Sequence, residues 1–155
     1  MKKMNRKDRN LLAENLRHYV SGQITNFEFI DNTGLLDSSE DESVREFCKD
    51  FWNAYSDLKE HLNVGKHKIT SENEIVVKRF ILFLKSELEY EWKSEQRNFI
   101  KEIYNLLTLN FPVNKTKNAI EKNKLGEKEF WPFFKEEDYK NEILNPKYLS
   151  KNVCH

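Results

Sequence analysis

The stretch Ser71–Trp92, SENEIVVKRFILFLKSELEYEW, is the most apolar part of the chain, and the remaining segments are amphipathic pieces that need such an element to pack on. At about 100° per residue, Val77, Phe80, Ile81, Leu84 and Leu88 fall on one stripe, widened by Val76 and Phe83 on one side and by Trp92 on the other. Lys78, Arg79, Lys85, Ser86 and Glu89 lie opposite, but Ile75 and Leu82 interrupt them. A helix apolar over most of its circumference is buried by several neighbours. Ser71 followed by Glu74 has the spacing of a capping box. The β-branched Val76, Val77 and Ile81 make a strand over 75–84 the rival. The cap and the long 3.6-residue period favour a helix over 71–92.

A chain of 155 residues suits one compact domain with a sizeable core. Its 26 basic and 26 acidic residues cancel, which gives no global electrostatic case for nucleic acid or an anionic membrane. Only 4 glycines and 3 prolines punctuate a sequence rich in Lys, Glu and Leu, which predicts helices. Aromatics at 13% predict a core filled by rings. The basic start, MKKMNRKDRN, is not followed by an apolar signal region, and no run of apolar residues is long enough for a membrane span. Cys48 and Cys154 make no disulfide framework. A cytoplasmic location is therefore expected.

Residues 5–21 predict a first helix with Leu12, Leu16, Tyr19 and Val20 on one face, and Gly22 sits where a helix end needs left-handed geometry. Thr25 and Glu28 repeat the capping-box spacing and predict a short helix over 26–31 with Phe27 and Ile30 inward, before the break at Asn32-Thr33-Gly34. Ser39 and Glu42 do so again and open a helix over 40–63, which Gly65 ends. Val44, Phe47, Cys48, Phe51, Tyr55, Leu58 and Leu62 make its narrow, nearly heptad stripe. Such a stripe seeks another helix, inside the domain or in a second copy, so a homodimer is an open possibility. Past Trp92 the period continues through Phe99, Ile103, Leu106 and Leu107. A break near Lys93 is preferred to one helix over 71–109, and Phe111-Pro112 ends the segment. Residues 130–134, FWPFF, predict an aromatic clamp across the helices, followed by a helix over 135–144 that Asn145-Pro146 ends. The expectation is an all-α, single-domain bundle of four to five helices around a buried central helix at 71–92, with the aromatic C-terminal segment packed across it. Residues 1–7, 113–128 and 148–155 are expected to be mobile.

Glu87 and Glu91 are the most suggestive chemical pair. Four residues apart on a helix, at the edge of an apolar arc, two carboxylates can act as acid and base or hold a divalent metal, with His61 as a third group. The plainer reading is that they pair with Lys or Arg of neighbouring helices. No P-loop, G-x-G-x-x-G, G-x-S-x-G, C-x-x-C or H-x-x-x-H spacing occurs, so no cofactor or resident metal is expected. Cys48, on an apolar stripe, reads as a core residue. Trp52, Trp131 and Phe133 are the candidate interaction residues, since such rings anchor many interfaces, although core packing of the 130–134 stretch is favoured. The basic cluster Lys2, Lys3, Arg6, Lys7 and Arg9 could contact phosphates, but the simpler expectation is a solvated, frayed end.

Three segments carry a resemblance: HYVSGQIT at 18–25, LFLKSELEYEW at 82–92 and FWPFF at 130–134. Through them the chain resembles a family of small, uncharacterised bacterial proteins. No activity is established for that family, so the resemblance implies a bacterial, cytosolic, single-domain protein and assigns no functional residue. Residues 93–128 carry no matching feature. The functional expectation is a protein that binds another protein, as a regulator or immunity-type inhibitor. The alternative is a small metal-dependent hydrolase using Glu87 and Glu91, and a weaker one is nucleic-acid binding.

Overall fold

The computed structural model describes residues 3–54, 59–92 and 126–147, with backbone alone over 49–54. The expectations for the side chains of Phe51 and Trp52, for Tyr55 and Leu58, for 93–125 and for 148–155 lie outside the described residues. Those described form five helices and no strand: α1 (Arg6–Val20), α2 (Asn26–Thr33), α3 (Glu42–Ala54), α4 (Ser71–Leu84) and α5 (Glu136–Leu144), with 3-10 turns at Gly34–Ser38, Gly65–His67 and Lys128–Phe130. The chain is all-α. None of the described helices is long and apolar enough to cross a membrane.

Helix α1 starts at Asn5, whose side chain accepts from the Asp8 amide at 3.2 Å. It ends in a Schellman turn: Gly22 donates to Tyr19 O and Gln23 to His18 O, with Gly22 at φ 72°. Helix α2 has both halves of the Thr25/Glu28 capping box. Its inward ring is Phe29, 1% exposed, rather than Phe27, which is 38% exposed. The contact with Tyr19 of α1, ring to ring at 5.6 Å, sets that phase.

Helix α3 is capped by Asp41, not Ser39. Asp41 Oδ1 accepts from the Ser43 amide at 3.0 Å and Asp41 O from the Arg45 amide at 2.9 Å. Val44, Phe47 and Cys48 are buried as the stripe predicts. The helix does not reach 63. Leu62 makes an isolated antiparallel bridge with Thr25. His61 and Asn26 exchange hydrogen bonds, His61 N to Asn26 Oδ1 at 2.7 Å and Asn26 N to His61 O at 3.0 Å. The backbone groups that a longer α3 would use internally are spent on the start of α2.

Helix α4 is capped by Thr70, one residue before the expected Ser71; Thr70 accepts from the Asn73 amide, while Glu74 pairs with Lys78 at 2.7 Å. It packs on α1 and α5, and it stops at Leu84 rather than Trp92. One arginine of α1 caps its end and a second holds the chain beyond it. Arg6 donates to Leu84 O at 2.6 Å and to Ser86 O, and Arg9 donates to Leu88 O at 2.9 Å. Cations at the carboxyl end of a helix bond its unpaired carbonyls and oppose its dipole. Beyond Ser86 the burial alternates with period two: Glu87, Glu89 and Glu91 are exposed, while Leu88 is half-buried and Tyr90 and Trp92 are buried.

The aromatic segment closes this core. Phe47 stacks on Phe80 at 4.4 Å and Phe80 on Trp131 at 5.3 Å; Phe83 meets the edge of Phe133 at 5.3 Å. Trp92 Nε1 donates to Pro132 O at 3.0 Å and Trp131 Nε1 to the Tyr90 hydroxyl at 3.3 Å, so each buried indole N–H has an acceptor. Arg9 and Asp41, 1% and 2% exposed at their side chains, form an ion pair beside the rings at 2.6 Å. Within the basic amino-terminal cluster, Arg6 and Arg9 are therefore not available to phosphate, because both side chains are committed inside the fold; Lys2 lies outside the described residues.

Candidate interaction surface

Helix α4 buries Val77, Phe80, Phe83 and Leu84. The residues that broke its polar face, Ile75 and Leu82, turn the other way. With Lys78 and Arg79, and with Tyr139 and Ile143 of α5, they line a groove of about 420 Å3. Ile75 is 54% exposed and Ile143 50%. A groove of that size, apolar along its walls with few polar groups, is within the range of ligand and peptide sites. Leu144, 75% exposed, follows Ile143 on α5.

Arg79 is the polar centre of the groove. Its Nη1 donates to Trp131 O at 3.3 Å and to Glu129 O. Its guanidinium lies over the rings of Tyr139 at 5.4 Å and Phe130 at 5.9 Å, and its buried Nε has no acceptor. At the far end of α5, Glu142 is buried with Oε2 unpartnered. Burial pushes its carboxyl above the usual carboxylate range; Glu87 and Asp138 add to this and Lys147 opposes it.

The expected polar site does not assemble on a helix face. Glu87 and Glu91 lie past the end of α4 on the exposed side of the alternating segment, and Glu87 pairs with Lys147 at 2.9 Å. His61 is elsewhere in the fold, off any helix, stacked on His67 with ring centroids 4.2 Å apart. Among the described residues no three His, Cys, Asp or Glu side chains gather to hold a metal ion, so the hydrolase alternative finds no geometry there. Trp131 and Phe133, 2% and 0% exposed, are core rings, not surface anchors. The side chain of Trp52 lies outside the described residues. No family model, curated protein or solved structure matches the chain.

The sequence did carry a signal for this arrangement. Glu87-Leu88-Glu89-Tyr90-Glu91-Trp92 alternates strictly between polar and apolar, the pattern of a half-buried extended segment. The longer helical period running into it masks that pattern. The groove had a signal as well, in the two apolar residues set among charges on the outer face of α4.

Proposed function

We propose that this protein acts by binding another protein through the groove between α4 and α5, as a regulator or immunity-type inhibitor in a bacterial cytosol. The observation that carries the reading is the contrast within one helix. α4 buries its inner face among aromatic rings, yet leaves Ile75 and Leu82 beside Ile143 in an open groove. Apolar side chains gathered at a surface around a charged residue mark interaction sites more often than scattered ones do. The resemblance to small bacterial proteins belongs to the same proposal.

The test is chemical cross-linking in the source cells with wild type and Ile143→Asp, followed by reconstitution from pure components. The reading expects a partner that is cross-linked by wild type, is lost with the variant, and binds the purified wild-type chain directly. Identical sets of cross-linked proteins for the two forms would remove it.

A further inference from the structure

We infer that the groove receives an amphipathic helix of the partner, seated with one carboxylate on the guanidinium of Arg79. The inference rests on the proposed function and supplies the chemistry of the occupant.

Arg79 carries the argument for charge. Neighbouring cations have carboxylates: Lys78 pairs with Glu74 at 2.7 Å, Lys140 with Glu136 at 3.0 Å and Lys147 with Glu87 at 2.9 Å. Arg79 has two backbone carbonyls and two ring faces, and among the described residues no carboxylate pairs with it. A guanidinium has five donors, and its most favourable partner is a carboxylate that takes two of them. Here Nη1 is spent on the two carbonyls and Nε is buried, so Nη2 is the edge that meets such a group, held in place by carbonyls and rings and with no ion pair to break first. The walls around it are apolar, so the attraction is screened less than at an open surface.

Ile75 and Leu82 argue for shape. They are seven residues apart on α4 with Arg79 between them, and Tyr139 and Ile143 are four apart on α5. Two such ridges with a trough between them suit the ridge of a third helix, read through anchors at i, i+3/i+4 and i+7. The half-exposed rims, Ile75 and Ile143, suit a rod laid along the surface better than an enclosed small molecule. The first turn of α5 is acidic, with Glu136, Glu137 and Asp138. It repels a polyacidic segment, so acid is wanted at one position, opposite Arg79.

The experiment is a displayed library of amphipathic helical peptides with a fixed apolar ridge and one fully randomised central position. It is selected on the full chain as wild type, Arg79→Lys and Arg79→Gln. The expected result is enrichment of Asp and Glu at that position by about tenfold on wild type, retained in part on Arg79→Lys and absent on Arg79→Gln. The wild-type binders lose affinity on Ile143→Asp while circular dichroism shows that variant folded. The readout is a preference within each pool, so a loss of stability in Arg79→Gln does not mimic it. The inference is overturned by binders without acid preference, by an equal preference on Arg79→Gln, or by no binder above background. A dimer of the chain dissolved by Ile143→Asp also overturns it, since that gives the groove to a second copy. Acid-preferring peptides with no Ile143-dependent cellular partner leave the inference standing and remove the proposed function; a partner without an acidic contact does the reverse.

Discussion

Arg9 Nε lies 2.6 Å from Asp41 Oδ2, with the two side chains 1% and 2% exposed, and the same arginine donates to the carbonyl of Leu88. One side chain of α1 thus joins the start of α3 to the chain leaving α4. Asp41 is satisfied on every side: Asn5 N donates to it at 3.0 Å, Ser43 N at 3.0 Å and Ser43 Oγ at 2.6 Å. Arg9→Met would leave that carboxylate without its cation, and breaking a buried pair from one side costs about 3–5 kcal/mol. Urea unfolding at pH 7 measures the loss. A cost below about 1 kcal/mol would show that the remaining donors suffice.

The same pair sets an acid limit. Burial raises the Asp41 pKa, but the bonds from Arg9 and Ser43 outweigh it and hold the carboxyl below its ordinary value of 3.8. A lowered carboxylate pKa contributes stability that is present above the unfolded value and lost as pH falls toward the folded one. Stability should therefore decline below about pH 4, and the decline should be shallower in Asp41→Asn, which starts from a less stable state. Parallel acid titrations followed by near-ultraviolet circular dichroism check this.

Glu142 has the opposite sign. Its raised pKa means that its contribution is fully present below the ordinary carboxylate value and is lost as pH rises through the folded pKa. Glu142→Gln should stabilise the protein by about 1 kcal/mol at pH 7, with the difference shrinking toward pH 4. Equal melting temperatures for variant and wild type across that range would contradict the burial of an unpartnered carboxylate oxygen.

The Cys48 thiol should be inert in the native protein. It is 3% exposed, and burial, with Asp37 and Asp8 nearby, pushes its pKa up to about 12. In a Cys154→Ser background, a disulfide reagent should label it only as fast as the protein unfolds. Labelling within seconds at pH 7.5 would place the thiol at the surface.

Trp131→Ala and Ile143→Asp separate core from surface. Trp131 is stacked on Phe80 and 2% exposed, so its truncation should cost about 3–5 kcal/mol. Ile143, half exposed, should cost about 0.5 kcal/mol or less. Thermal melts of both distinguish a protein whose aromatic segment is structural from one that displays it.

The apolar periods alone place the helices, since each depends only on residues three and four apart. Leu12 and Leu16, Phe47 and Cys48, and Phe80 and Leu84 are all in the core, and the burial of the aromatic segment followed from the cost of four wet rings in five residues. The Thr25/Glu28 cap and the Gly22 turn are equally local and equally legible. The end of α4 is not. It is set by Arg6, 78 residues away from Leu84, and a distant arginine that caps a helix leaves no trace in that helix's own periodicity. The candidate site followed the same division. That Ile75 and Leu82 break a charged face is written in the sequence. That the break opens into a groove beside α5, while Glu87 and Glu91 leave the helix and His61 lies against α2, was decided by tertiary packing. Local propensity fixes which segments coil, but the direction a helix face points and the residue at which it stops depend on what other parts of the chain bring to its backbone and its surface.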